Sequence, residues 1–328
     1  MGGARMGRGG VLLSLLAALA LGGCADELDP TYLVVKERVV GLEVGVVGAD
    51  DGRTSAMPGE TLSLELRYGA PDGVVEPTWV LIACEPAPSS FGVPFCGEGE
   101  PLAIDAELDL GEGKRPFEVT IPEDYGSDTV LMIGAVCMNG VVDASLNPSD
   151  PEALSRICTD GEGLGQALTY EHPLGVDEDA ANRAPAFTGF TLAGESWGEA
   201  EGLMPGVTSC EGLDLPELRV DDDEVEIGMA VREGDREAYL QRTPDAPEGE
   251  PANEDLQITH LVSAGDMERL FTFIDDEALE DIVEYTPPAA DDEDVDVPAE
   301  GLVVRFWFVM RDLRGGHDVV MRALCVRP

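Results

Sequence analysis

Along most of this chain, apolar and polar residues alternate in short runs, and Gly, Pro and Asp separate one run from the next. The clearest run is "TLSLELRY". Leu62, Leu64, Leu66 and Tyr68 share one face and Ser63, Glu65 and Arg67 the other, as a half-buried strand requires. "VVGLEVGVV", "TWVLIAC", "FEVTIP", "TVLMIGAVC" and "ALTYEH" are further strand candidates. Six or seven strands with turns between them, in about 140 residues, predict an all-β sandwich. "SDPEALSRIC" is the helical exception. Asp150 can cap and Pro151 suits a first helical turn, so one turn of helix is expected between the last two strands.

From Val176 the stretch "VDEDAANRAPA" is acidic and Ala-rich, with no periodicity, and reads as a linker over 176–186. A second β set follows: "EVEIGMAV", "LQITHLVSA", "ERLFTFI", "GLVVRFWFVM" and "DVVMRALCV". The closing pair is joined by "RDLRGGH", where Gly315-Gly316 is expected to supply the positive φ of a tight hairpin turn. "DDEALEDI" is read as one helical turn and "DAPEGEPANED" as a long acidic loop. Two tandem sandwiches are therefore expected, over 37–175 and 187–328.

The N-terminus has a different pattern. Arg5 and Arg8 precede an apolar run from Val11 to Leu21. That is the length of a secretory signal and too short for a spanning helix, which needs about 20 apolar residues. The run ends Leu21-Gly22-Gly23-Cys24, which resembles the lipobox of bacterial lipoproteins. The resemblance implies a signal peptide over 1–23, cleavage before Cys24, acylation of its sulfur (palmitate-type lipid) and a lipidated tether over 24–36. The alternative is an ordinary signal peptide with a cysteine at its cleavage site. Ala25 follows the cysteine, and by the same resemblance this favours the outer membrane or cell surface.

Six cysteines remain beyond Cys24: Cys84, Cys96, Cys137, Cys158, Cys210 and Cys325. An even number in an exported chain suggests disulfides, and six cysteines allow 15 pairings. Locality suggests Cys84–Cys96, Cys137–Cys158 and Cys210–Cys325. There is no C-x-x-C, which argues against redox or zinc-ribbon chemistry. The formal net charge of −46 becomes −48 without Arg5 and Arg8. Such a field repels nucleic acid and anionic lipid and would attract cations or basic partners, weakly in salt. A hydrophobic content of 44% marks a folding chain, not an acidic disordered one.

"PGETLSLELRYGAPDGVVEPTWV" resembles the first half of bacterial immunoglobulin-like and polycystic-kidney-disease-type (PKD) modules. Trp79 falls where those modules carry a core tryptophan. "VRFWFVMRDLRGGHDVVMRALCV" resembles their final hairpin, although the second half has no tryptophan at its third strand. The layout as a whole resembles lipoproteins of myxobacteria and their relatives, a family that supplies no activity to carry over.

Candidate chemistry is sparse. In "DDEDVDVP", Asp292, Asp294 and Asp296 alternate, and in an extended loop their carboxylates could converge on calcium. The EF-hand pattern fails for want of its glycine and closing glutamate, so a solvated acidic loop is the plainer reading. "VDDDEVE" (Asp221 to Glu224) is a second acidic run that could cooperate with the first. His172, His260 and His317 have no partner at metal-ligand spacing. His317 follows a Gly-Gly turn, where an exposed polar residue is expected. "GEGLGQ" is a glycine cluster without phosphate-loop context. Trp307 lies opposite Phe306 and Phe308, either exposed as a sugar or partner platform or, the preferred reading, buried against a linker or neighbouring domain.

These readings lead to the expectation of a lipid-anchored envelope protein. Its role would be non-catalytic binding or structural support, with an envelope protein or polysaccharide as partner. The alternatives are a calcium-stabilised surface adhesin and, last, a carbohydrate-active or hydrolytic enzyme.

Overall fold

Among the described residues, eleven strands make up the first module: β1 (Arg38–Val46), β2 (Thr61–Gly69), β3 (Thr78–Cys84), β4 (Pro86–Ala87), β5 (Phe95–Cys96), β6 (Ala103–Glu107), β7 (Phe117–Thr120), β8 (Thr129–Cys137), β9 (Val141–Val142), β10 (Cys158–Thr159) and β11 (Gln166–Pro173). This is a computed structural model. It describes residues 30–49, 52–87, 94–97, 99–107, 116–138, 140–143, 145, 156–159, 165–175, 182–243, 246–274, 279–292 and 295–328. One sheet has the order β1-β2-β7 and the other β11-β8-β3-β6. They face each other across a core built from both, including Val44, Leu62, Leu64, Trp79, Phe117, Val119, Val130 and Met132. This strand order is that of an immunoglobulin-like sandwich. The alternation in "TLSLELRY" points Leu62 and Leu64 inward, and Trp79 is buried in the core as its position implied.

The second module repeats the plan with β12 (Phe187–Leu192), β13 (Glu195–Ser196), β14 (Glu217–Arg219), β15 (Val225–Val231), β16 (Ala238–Thr243), β17 (Ala246–Asn253), β18 (Leu256–Val262), β19 (Asp266–Met267), β20 (Phe271–Ile274), β21 (Glu280–Thr286), β22 (Leu302–Arg311) and β23 (His317–Arg327). Its sheets are β13-β12-β15-β21-β19 and β14-β23-β22-β18-β20. The tryptophan missing from the third strand is replaced from elsewhere. Trp197, just after β13, is buried edge-on to Phe306, with ring centroids 5.2 Å apart, and Tyr285 packs edge-on to Phe306 at 4.8 Å. Such pairs contribute about 0.5–1.5 kcal/mol each beyond their burial. Trp197 satisfies its Nε1–H on the Ala323 carbonyl at 3.1 Å.

The three disulfides are Cys84–Cys96, Cys137–Cys158 and Cys210–Cys325. The first ties the β4–β5 ribbon to β3. The second closes the insertion between β8 and β11, whose described part is the β9–β10 ribbon. The helical turn expected from Asp150 and Pro151 lies outside the described residues.

Three local expectations give way to pairing. "DAPEGEPANED" is not a loop, because its residues 246–253 pair with β16 as a hairpin. Residues 280–282 of "DDEALEDI" belong to β21, held by β15 along their length. The tether also ends earlier than expected. Tyr32 to Val34 run beside β18, with Val34 N–H bonded to Val262 O at 2.7 Å and Val262 N–H to Tyr32 O at 3.0 Å. The apolar sequence "TYLVV" gains more from that burial than from solvation, and Val34 is fully buried.

The two sandwiches belong to one compact unit, Tyr32–Pro328. β22 explains why, because it is buried on both faces. Val304, Phe306, Phe308 and Met310 fill its own module's core. Its other face presents Arg305, Trp307, Val309 and Arg311 to the first module. Trp307 is 5% exposed and packs with Val34, Val40, Leu261 and Val309. β2 approaches it closely enough to need Gly69, where a Cβ would stand 2.7 Å from Val40 Cγ1 and 3.2 Å from Trp307 Cε2. Arg305 completes the seam, donating to the Pro71 carbonyl at 2.6 Å and the Val207 carbonyl at 2.7 Å.

Candidate functional site

The chemistry-bearing side chains gather where the modules meet, around the β22–β23 turn. Asp312 organises that turn. Its Oδ1 accepts from Arg314 N–H at 2.7 Å and Gly316 N–H at 2.8 Å, an aspartate turn of the ordinary kind. The two glycines have different duties. Gly315 has the positive φ of +108°, whereas at Gly316 a Cβ would lie 2.1 Å from Asp312 Oδ2. Leu313 also takes a positive φ, so the turn does not rest on the Gly-Gly pair alone.

Asn182, in the stretch expected to be linker, is buried and joins the modules. Its Nδ2 donates to Asp312 Oδ2 at 2.7 Å and to Thr54 Oγ1 at 3.0 Å. Its backbone N–H donates to Ser55 Oγ at 2.9 Å, and its carbonyl accepts Thr54 N–H at 2.8 Å. The end of the linker is thus part of the seam, because a buried backbone must find partners. Glu254 pairs with Arg314 beside Asp312. Burial, then the Asp312 charge, pushes the Glu254 carboxyl up to about 7 against the opposing pull of Arg314. Burial also raises Asp312.

His172 and His260 are fully buried, and His317 is partly buried. His172 donates from Nε2 to the Thr54 carbonyl at 2.8 Å, and burial pushes it down to about 4. His260 donates from Nδ1 to the Arg269 carbonyl at 3.1 Å, and burial lowers it too. His317 is not the exposed turn residue expected. The first module covers it, its ring bonds the Leu42 backbone, and burial pushes it down to about 3.

His317 and Arg311 form part of the wall of a cavity of about 350 Å³ in the first sandwich. The remaining lining comes from both sheets. β1 contributes Val39 to Leu42, β2 Leu64 and Leu66, β3 Leu81, β7 Phe117, β8 Met132 and Ile133, and β11 Leu168 to Tyr170. β1 and β11 are the edge strands of their sheets, so the cavity occupies the gap between two edges that do not pair.

The expected site residues fall elsewhere. Cys24 lies outside the described residues. Asp294 does too, while Asp292 and Asp296 line a surface depression with Val220. The two acidic runs do share one end of the second sandwich, where Ala290 N–H donates to Asp221 Oδ1 at 3.1 Å. Among the described residues, no three His, Cys, Asp or Glu side chains are grouped to hold a metal ion. Trp307 is seam rather than platform. On the surface, Phe271 and Phe273 of β20 are half-exposed, edge to face at 5.6 Å. Sequence reasoning missed Asn182, Arg311 and Asp312 as junction residues. Only Asp312 had a local signal, an aspartate opening a glycine-containing turn.

No protein-family model matches the sequence, and no curated protein matches it. Among solved structures, Salmonella alpha-2-macroglobulin reacted with methylamine aligns over 92% of this chain at 12% identity, with a TM-score of 0.23. A mutant of the same protein aligns over 89% at 14% identity and 0.23. The chain spans 15% of the length of each of these two structures. The chicken CNTN1 FN1-FN3 domains align over 90% of this chain and 99% of their own length, at 8% identity and a TM-score of 0.20. Likeness at this level carries no argument, and the fold assignment rests on strand order and core.

Proposed function

We propose that this chain is a lipid-anchored envelope protein, attached through Cys24, whose fused sandwiches form a non-catalytic binding or structural body. The observation that supports it is the pairing of all six cysteines beyond Cys24 into three disulfides. Such bridges persist in oxidising compartments, which agrees with an export signal. Cys24 is then left over, at the end of a lipobox-like segment. The resemblance to myxobacterial lipoproteins points the same way, and the outer membrane or cell surface is the proposed location. The test is metabolic labelling of the full chain in a bacterial host with an alkynyl fatty acid. Wild type should take up label and fractionate with membranes, and Cys24→Ala should do neither. Label retained by Cys24→Ala, or missing from wild type, sinks the anchor. A crosslinking pull-down from the native envelope addresses the protein or polysaccharide partner.

A calcium-stabilised adhesin is the second reading, favoured by the meeting of the Asp221 and Asp292–Asp296 loops at one end of the second sandwich. Melting temperatures with calcium and with chelator decide it, and no difference between them removes the reading.

A further inference from the structure

We propose that the cavity between the sheets of the first sandwich binds a small apolar molecule carrying a hydroxyl group, with the hydroxyl held between His317 and Arg311. This deepens the reading of the body as a binding module and rests on it, whereas lipidation of Cys24 stands or falls separately. The cavity of about 350 Å³ has room for about a dozen non-hydrogen atoms at roughly 30 Å³ of liquid volume each. Its size is at the lower end for small-molecule sites, which are mostly apolar with a few placed polar groups. Leu42, Leu66, Phe117, Met132 and Leu168 give its wall that apolar character. Water gains little in such a space, while an apolar guest restores the contacts that the lining side chains lack.

The polar end of the site is specific. Because His317 donates to the Leu42 backbone, its other ring nitrogen, Nδ1, is an acceptor in the neutral imidazole. That Nδ1 is buried and has no hydrogen-bond partner among the described residues. Arg311 donates to Thr259 Oγ1 at 2.8 Å and to the Val40 carbonyl at 3.5 Å. A guanidinium carries five N–H donors, so Arg311 retains donors after these two bonds. One wall thus presents an acceptor that lacks a proton donor and a cation with N–H donors to spare. A single hydroxyl meets both demands. A carboxylate satisfies Arg311 but brings no proton to Nδ1, and an ether accepts without donating. A buried polar group left unpaired is what makes such sites selective.

The test uses the full chain carrying Cys24→Ala, so that neither lipid nor detergent competes for the cavity. Saturable binding of 1-octanol is compared with that of its isomer 1-methoxyheptane, which has the same number of heavy atoms but no donor, and with octanoate. Calorimetry or native mass spectrometry serves as the readout. 1-Octanol should bind one per chain, roughly tenfold tighter than the ether or the carboxylate. His317→Phe should erase the preference between alcohol and ether. Leu168→Trp, on an edge strand at the wall, should fill the space and abolish binding of both while the protein still melts cooperatively; it decides the matter should His317→Phe fail to fold. The proposal is overturned by absence of saturable 1-octanol binding, by binding that survives Leu168→Trp, or by a preference that survives His317→Phe.

Discussion

Removing the Cys210–Cys325 bridge should destabilise the protein more than removing either of the others. The perturbation is the pair Cys210→Ala and Cys325→Ala, compared with Cys84→Ala and Cys96→Ala. A cross-link stabilises mainly by restricting the unfolded chain, and the effect grows with the logarithm of the loop it closes. The sequence separations are 115 for Cys210–Cys325, 21 for Cys137–Cys158 and 12 for Cys84–Cys96. Chain-entropy arithmetic then gives about 5 kcal/mol for the long loop and about 3 kcal/mol for each short one. Packing widens the gap. Cys210 and Cys325 are buried with Leu215, Val303 and Ala323, whereas Cys96 is only partly covered. The truncation of two buried sulfurs therefore adds a cavity cost in the second module. The whole 115-residue loop lies inside that module. Guanidinium denaturation of the oxidised proteins, followed by far-UV circular dichroism and tryptophan fluorescence, measures the difference. A loss for Cys84/Cys96 equal to or greater than that for Cys210/Cys325 would refute the reasoning, because loop length and burial both point the other way.

Trp307→Ala should cost about 3–5 kcal/mol, as for other buried aromatic truncations, and should split one thermal transition into two as the sandwiches uncouple; a single transition in calorimetry of the variant counts against the seam. Asp312→Ala strips two backbone N–H groups and Asn182 of their acceptor and should cost about 2–4 kcal/mol, read as a shift in denaturation midpoint, with Asp312→Asn milder. The pH dependence follows from groups of opposite sign. His172 and His317, depressed to about 4 and about 3, contribute stability that is present above their unfolded value near 6.5 and lost as pH falls through the folded ones. Glu254, raised to about 7, contributes stability that is full below its unfolded value and lost as pH rises through 7. His260 is lowered as well and Asp312 raised; with the histidines dominating, stability should fall from pH 6.5 toward pH 4. His172→Gln should reduce that fall by about 3 kcal/mol, and an unchanged pH profile would show that His172 is not held neutral.

The main strands were legible because each carries its own period. β2 and β3, β8, β22 and β23 all fall on runs whose alternation or apolar density marks a strand wherever it is placed. The hairpin of β16 and β17 was not legible. "DAPEGEPANED" has poor strand propensity, and only a partner supplying backbone hydrogen bonds makes it extended. β21 was missed for the same reason, since "EALEDI" reads as helix until β15 pairs with it. At the candidate site the turn at Asp312 could be read, but its neighbours could not. Thr54, His172, Asn182 and Glu254 come from four distant segments, and no local pattern announces that they meet.

The sequence by itself determined the class of the fold, the number of modules and the pairing suggested by cysteine locality, because strand periodicity and short loops act over neighbouring residues. It also set the acidic charge and the lipobox-like N-terminus. Only the tertiary structure decided that Trp307 is seam rather than platform, that the linker's end is buried, and that His317 lines a cavity of the first sandwich. Those outcomes depend on which face of β22 meets β1 and β2. An alternating strand has two faces, and its own sequence says only that they differ. What covers the second face is set by a chain segment more than 200 residues away, through close packing and the need of every buried polar group for a partner.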